Sequence, residues 1–256
     1  MKLGYEEAGE GSILLLIHGF PVDRRIWRPQ LESLATLRRV VAVDLRGRGK
    51  SPADAAEGWT IDDYAGDIAE TIDALGVHQV DLVGLSMGGY IAFSLLRMHP
   101  EKVRSLVLMS TKAEEDGPEA KKGRDDNAAL VREKGSEALV DRMLQNLLST
   151  SASDQVKKDV ADMFRSIPPD SAVADLEAMR DRPDSTALLA SIRVPTLVIQ
   201  GEEDGLLTLE AGREMAAAIP EGRFVSIPGS GHFVSVQQPR LVNEALRDFL
   251  KGVTTG

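Results

Sequence analysis

Residues 80–90 read VDLVGLSMGGY. The apolar start predicts a buried strand, the small residues after it a sharp turn, and the stretch from Tyr90 to Met98 a helix. The pattern G-x-S-x-G between a strand and a helix is typical of a nucleophilic serine, because the turn exposes the hydroxyl and the glycines let backbones approach. The onset of the helix also directs backbone N–H groups toward charge that develops beside Ser86 Oγ. This context favours a catalytic Ser86 over an incidental serine in a glycine-rich turn.

Short apolar runs of the same kind recur along the chain and predict the sheet. Continuous apolarity indicates strands buried on both faces, as in a parallel sheet covered by helices. A helix is predicted from the Thr60–Asp63 capping box to Gly76, and another over Pro239 to Leu250. Alternation of strands and helices predicts an α/β fold with a mostly parallel central sheet flanked by helices. The runs are Ile13–Ile17, Val40–Val43, Val80–Gly84, Val103–Met109, Val194–Ile199 and Phe224–Ile227.

The alternation stops between Thr111 and Ser191. This stretch has no convincing strand, and it contains apolar residues at helical spacing. Its opening, from Lys112 to Asp126, is dense in charge of both signs, which fits a solvated linker better than the apolar remainder does. We therefore predict a core domain formed by residues 1–111 and 191–256, with a helical cap inserted at residues 112–190.

Composition excludes several classes of function. The 256 residues include no Cys, so disulfides, thiolate metal sites and cysteine nucleophiles are excluded. A formal charge of −10 disfavours nucleic acid and anionic membranes as partners. The N-terminal residues show neither a basic segment leading into an apolar one nor an apolar run long enough to span a membrane, which predicts a cytoplasmic protein.

A serine hydroxyl needs a base within hydrogen-bonding reach, and the chain offers four histidines. His78 and His99 lie at a turn and a helix end, where solvated or helix-end roles are expected. His18 follows the first core strand and is expected to brace a loop. His232 lies in a glycine-rich loop just after the last strand, at the strand ends where sites form in open parallel sheets. By elimination, His232 is the predicted base.

The third catalytic member should follow another strand, and it should orient the imidazole. The turn after Val194–Ile199 offers three carboxylates, of which Asp204 is the first choice and Glu203 the reserve. The order Ser86, Asp204, His232 matches that of α/β-hydrolases. Backbone N–H groups of Met87 and Phe20 are the predicted oxyanion hole.

One stretch imitates a phosphate-binding loop. Residues 44–51 read DLRGRGKS and end in Gly-Lys-Ser, but Asp44 stands where a P-loop requires glycine, and Pro52 follows the serine. A dinucleotide-binding G-x-G-x-x-G fails at Pro52 as well. Nucleotide binding is therefore disfavoured.

With these motifs in place, the chain resembles the α/β-hydrolase superfamily from about Lys2 to Leu250. The resemblance also rests on HGFP at residues 18–21, on the stretch 44–51, which is similar to the family's D-x-R-G-x-G-x-S, and on Gly231-His232-Phe233. It implies the cap, and it implies that Asp44 and Arg46 belong to a structural loop near the site. The chain begins just before the stretch that looks like the family's second strand. No clear counterpart of the family's first edge strand is therefore identified in this sequence.

Ser86 excludes the resembling dehalogenases and epoxide hydrolases, whose nucleophile is Asp. The Ser-Met-Gly-Gly form is similar to small bacterial carboxylesterases, 3-oxoadipate enol-lactonases and cofactor-free perhydrolases. We therefore expect a carboxylic ester hydrolase for small or medium acyl groups that needs no metal or organic cofactor. Lactone hydrolysis, perhydrolysis and a hormone-type receptor with little turnover are the alternatives. Trp27, Tyr90 and Phe233 are candidate pocket residues, although core packing suits each of them equally, and the aromatic-poor cap favours an aliphatic pocket.

Overall fold

A computed structural model describes residues 2–52 and 58–253. Within these ranges seven strands form one sheet in the order β1-β3-β2-β4-β5-β6-β7. Strand β1 pairs with β3 in antiparallel orientation, and every other pairing is parallel. The mostly parallel α/β architecture predicted from the sequence is thus confirmed. The strands are β1 (Tyr5–Ala8), β2 (Ile13–Ile17), β3 (Arg39–Val43), β4 (Val80–Leu85), β5 (Val103–Met109), β6 (Thr196–Gly201) and β7 (Arg223–Ile227).

The helices cover the sheet and extend over the carboxyl ends of its strands. Outside the segment between β5 and β6 they are α1 (Arg28–Leu34), α2 (Ile61–Ala74), α3 (Met87–Met98), α9 (Leu209–Ala217), α10 (Val234–Gln237) and α11 (Pro239–Lys251). Between β5 and β6 lie α4 (Pro118–Lys134), α5 (Ala138–Leu147), α6 (Asp154–Arg165), α7 (Pro169–Arg180) and α8 (Thr186–Leu189). None of the helices in the described ranges combines the length and apolarity that crossing a bilayer requires.

Burial follows the predicted pattern in the centre of the sheet. All side chains of β2, β4 and β6 are buried, as continuous apolar runs predict. The two edges differ: β1 carries two exposed glutamates, and β7 is half-exposed along most of its length. Strand β1 is the edge strand for which the sequence offered no clear counterpart.

Local signals set the helix boundaries. Thr60 accepts a hydrogen bond from the N–H of Asp63, and the Asp63 carboxylate accepts one from the N–H of Thr60 at 2.8 Å, which is the predicted capping box. The charged opening of the segment between β5 and β6, residues 112–126, is not a linker throughout, because α4 begins at Pro118 and covers more than half of it. A proline at the first helical position favours this start.

A buried ion pair attaches the loop after β3 to α7. The guanidinium of Arg48 donates to Asp175 in α7, and both side chains are almost fully buried. The Tyr64 hydroxyl of α2 donates to the same carboxylate. Arg46, in the same loop, pairs with Asp67 at 2.6 Å and lies over the ring of Trp59. The stretch that imitates a P-loop is therefore occupied by its own ion pairs.

Breaking the Arg48–Asp175 pair should destabilise the fold. We expect Arg48→Met to lower the free energy of unfolding by about 3–5 kcal/mol, because an unpaired carboxylate stays buried. The double variant Arg48→Met/Asp175→Leu should lose less than the single variant, since no buried charge is left. Urea unfolding measures both.

The matched control is Arg132→Met, which removes a solvent-exposed pair between Arg132 and Glu177. It should change the free energy of unfolding by less than about 1 kcal/mol. A stability of Arg48→Met equal to that of the control would contradict the role of the buried pair.

Candidate active site

Ser86 occupies a strained position between β4 and α3. Its backbone angles, φ of 53° and ψ of −114°, lie in a region that residues other than glycine rarely adopt. Its N–H donates to the carbonyl of Met109 at 2.9 Å, and the Thr111 hydroxyl donates to the Ser86 carbonyl at 2.8 Å. Hydrogen bonds from β5 and the residues that follow it therefore hold the turn from both sides.

Two glycines make this turn sterically possible. A Cβ on Gly84 would lie 2.4 Å from the carbonyl oxygen of Gly88, and a Cβ on Gly88 would lie 2.4 Å from that of Ile17. Both distances are far below van der Waals contact. The glycines of G-x-S-x-G are thus required by the close approach of β2, β4 and α3.

His232 and Asp204 form a buried, hydrogen-bonded pair. Nδ1 of His232 lies 2.8 Å from Oδ2 of Asp204, and the backbone N–H of His232 donates to the Leu147 carbonyl at 2.9 Å. The carboxylate accepts further hydrogen bonds from the N–H of Leu206 at 2.8 Å and from Nε2 of Gln200 at 2.7 Å. With its orientation fixed in this way, Asp204 favours the tautomer whose Nδ1–H donates and whose Nε2 carries a lone pair.

The electrostatics of the pair keep Asp204 ionised. Burial alone would raise the pKa of its carboxyl, but the charge of His232 and the hydrogen bonds to the carboxylate hold that pKa below its ordinary value. An ionised Asp204 can stabilise a protonated imidazole without taking its proton.

Ser86 and His232 line the same cleft, which has a volume of about 350 Å³. Nε2 of His232 is buried and forms no hydrogen bond with any residue in the described part of the chain, the Ser86 hydroxyl included. Such contacts are often long in the absence of substrate and tighten when it binds. Ser86 and His232 thus meet at one cleft, and Nε2 of His232 is not committed to another partner among the described residues.

Of the two predicted oxyanion donors, Phe20 lines this cleft and Met87 directly follows Ser86, which also lines it. Met87 is the first residue of α3, whose N–H has no partner within the helix. Over residues 2–52 and 58–253, no hydrogen-bond acceptor is found for the N–H of Phe20 or for that of Met87. Neither amide is therefore committed to another partner within these ranges.

The other predicted positions fall into two groups. Tyr90 lines the cleft, whereas Trp27 and Phe233 are fully buried in the hydrophobic core and are absent from the cleft wall. Glu203, the reserve for Asp204, is exposed. Tyr90 is thus the candidate pocket residue to which the structure gives surface in the cleft.

The remaining histidines lie outside the cleft wall. His78 is exposed, and His99 lies 3.6 Å from Glu101. His18 is fully buried: Nδ1 lies 2.8 Å from the Gly19 carbonyl, and Nε2 accepts the N–H of Leu45 at 3.0 Å. It joins the loop that carries Phe20 to the loop after β3, which agrees with a bracing role.

Sequence reasoning missed two features of the site. Gln200 is a second side chain that hydrogen-bonds to Asp204. The sequence signal that could have identified it is its place near the end of β6, the strand that leads into the Asp204 turn. The cleft also carries the cations Lys112, Arg124 and Arg142, all from the segment between β5 and β6. The high charge density of residues 112–126 was the available signal.

In the described ranges, no cluster of three or more His, Asp or Glu residues could hold a metal ion.

Comparison with known proteins places this geometry in context. Residues 12–239 match the family described as alpha/beta hydrolase fold. The structure superimposes with a TM-score of 0.96 on a thermophilic esterase from Thermogutta terrifontis solved with malate bound; the two are 38% identical over 99% of this chain and 94% of that one.

Two further similar proteins are named for different reactions. The enol-lactonase from Burkholderia xenovorans is 28% identical, with a TM-score of 0.89 over 97% of this chain and 96% of that chain. A protein from Variovorax paradoxus, whose name proposes a carbamate hydrolase, is 31% identical over 99% of this chain and 98% of its own length.

The environment of His18 predicts a pH dependence of stability. Burial lowers the pKa of His18 from 6.5 to about 4. Because the unfolded chain binds more protons between these values, stability rises with pH there, and this contribution is lost as the pH falls. From pH 7 to pH 5, we expect it to lower the free energy of unfolding by about 2 kcal/mol.

Urea unfolding at both pH values measures this effect in the wild type and in His18→Gln, which should lack that portion of the pH dependence. His78→Gln is the control and should keep the wild-type slope. An identical slope in His18→Gln would mean that His18 is not the group responsible.

Proposed function

The chain is a hydrolase that belongs to the α/β-hydrolase fold family, and from this premise we propose that it hydrolyses carboxylic esters through an acyl-enzyme on Ser86. One observation carries the proposal: the strained Ser86 and the Asp204-oriented His232 face the same cleft. A serine hydroxyl, a free imidazole nitrogen and a buried carboxylate are the groups that acyl transfer to serine requires.

In the proposed first step, Nε2 of His232 accepts the proton of the Ser86 hydroxyl while Oγ attacks the ester carbonyl carbon. The carbonyl oxygen becomes negative and accepts hydrogen bonds from the N–H groups of Phe20 and Met87. Asp204 stabilises the imidazolium that forms. Collapse of the tetrahedral intermediate breaks the bond to the alcohol, which leaves with the proton from His232.

The second step repeats the first with water. His232 takes a proton from a water molecule, whose oxygen attacks the acyl carbon, and the acid leaves as Ser86 recovers its proton. Every proton transferred in the two steps passes through Nε2. The proposed mechanism therefore needs Nε2 of His232 to be free of other hydrogen bonds, and no described residue bonds to it.

The comparisons support ester chemistry, and they favour lactones as a second candidate. An esterase is 38% identical over nearly the whole chain, and an enol-lactonase shares the fold at 28% identity. A lactone is a cyclic ester, so the same residues would open it. Measuring kcat/KM on short acyl esters and on a lactone panel separates the two, because an esterase should not prefer lactones by orders of magnitude.

Two other readings have distinct signatures. Perhydrolysis would form a peracid from acetate and peroxide. A receptor-like protein would bind a ligand and stop after a single turnover, whereas the proposed esterase turns over repeatedly.

Ser86→Ala tests the proposal. We expect it to lower kcat/KM for 4-nitrophenyl acetate by about 10⁴-fold or more, because the nucleophile is lost. Ser110→Ala is a matched control: Ser110 directly follows the neighbouring strand β5, also has a positive φ, and is fully buried and absent from the cleft wall. The control should retain wild-type turnover. Wild-type turnover in Ser86→Ala would overturn the proposed nucleophile.

A further inference from the structure

The part of the cleft wall that the segment between β5 and β6 supplies is rich in cations. Lys112 follows β5, Arg124 belongs to α4, and Arg142 belongs to α5, yet all three line the cleft that Ser86 and His232 share. Three separate elements thus bring positive charge to one space. This contrasts with a whole chain whose formal charge is −10.

One carboxylate counters these cations among the described residues of the wall. Asp116 is almost fully buried, and it pairs with Arg124 at 3.1 Å and with Lys112 at 3.3 Å. It also pairs with the buried Arg182 at 2.9 Å. Burial opposes ionisation, but these arginines lower the pKa of Asp116 to about 2, so it stays ionised. A single negative charge is thus shared among three cations, and the cleft keeps a positive excess.

Arg142 is the cation with the least compensation. Its guanidinium has no hydrogen bond and no ion pair with any residue in the described ranges. Asp126 interacts with it electrostatically, but that carboxylate is bound to Lys122 at 2.6 Å. The Arg124 guanidinium uses Nε for Asp116, and its two terminal nitrogens have no acceptor among the described side chains. Donors therefore stay available on both arginines.

We propose that this cleft selects esters that carry a carboxylate, which Arg142 and Arg124 bind while Ser86 attacks the ester carbonyl. The inference rests on the proposed function and specifies its substrate class. A guanidinium presents N–H donors in a fork that matches the two oxygens of a carboxylate, and these charged hydrogen bonds are stronger than neutral ones. Lys112 adds a third positive charge.

Long-range electrostatics point the same way. A chain with a net charge of −10 repels an anionic substrate at a distance, whereas a cation-lined cleft concentrates anions locally. A neutral ester would gain no charge–charge attraction from these side chains, and its hydrogen bonds to them would be weaker. Selection for a carboxylate gives the cations a role that ester hydrolysis alone does not require.

Paired substrates that differ only in charge test the proposal. Monomethyl adipate carries its carboxylate on the acyl side, and its primary amide is a neutral counterpart of the same shape. The acetate esters of 4-hydroxybutanoate and 4-hydroxybutanamide place the same difference on the alcohol side. We expect kcat/KM for the anionic member of at least one pair to exceed that of the neutral member about tenfold or more.

Variants assign the preference to the cations. Arg142→Gln should reduce the anionic-to-neutral ratio of kcat/KM roughly tenfold, and Arg124→Gln should act in the same direction. Arg132→Gln removes a cation from α4 outside the cleft wall, and it should leave the ratio at the wild-type value. Added salt should lower the wild-type ratio, because charge–charge attraction is screened.

Each outcome decides a different question. Turnover of 4-nitrophenyl acetate with no preference in either pair overturns the anionic subsite and leaves the proposed esterase standing. A preference that Arg142→Gln and Arg124→Gln both retain shows that other groups bind the carboxylate, and it also overturns the assignment. Absence of turnover with every ester refutes the proposed function itself.

Discussion

The backbone of Ser86 is the constraint on which the site depends. Its φ of 53° is a strained backbone conformation for a residue other than glycine. Hydrogen bonds with the Met109 carbonyl and the Thr111 hydroxyl hold it in that conformation. With this conformation at Ser86, α3 begins at the very next residue, Met87. The parallel sheet fixes the neighbouring strand ends, so the loops that carry Asp204 and His232 reach the same edge.

Buried polar contacts hold the loops around this edge. His18 bridges the Phe20 loop and the loop after β3, and Arg48 in that second loop pairs with Asp175 of α7. The backbone N–H of Phe20, which the proposed mechanism needs, is thereby tied to the helices between β5 and β6. The fold and the proposed chemistry are thus connected in this region, because His18 joins the Phe20 loop to a second loop that a buried ion pair attaches to α7.

Much of this could be predicted from the sequence, because the signals are local. A continuous apolar run, a glycine-rich turn and a capping box each act over a few residues, and they located the central strands, Ser86 and α2. Strand β1 was missed, since its Tyr-Glu-Glu-Ala sequence has no apolar run. The surroundings of Trp27 and the cations of the cleft depend on how distant helices pack, which local patterns do not encode.

Covalent labelling of the nucleophile tests the role of Ser86 most directly. The protein is treated with a 4-nitrophenyl alkylphosphonate, whose adduct with an activated serine is stable, and the modified peptide is mapped by tandem mass spectrometry. We expect one adduct, on Ser86 in the wild type, and none in His232→Ala, because the hydroxyl then lacks its base. An adduct on another residue, or sustained ester turnover by a protein that the phosphonate does not label, would contradict that role.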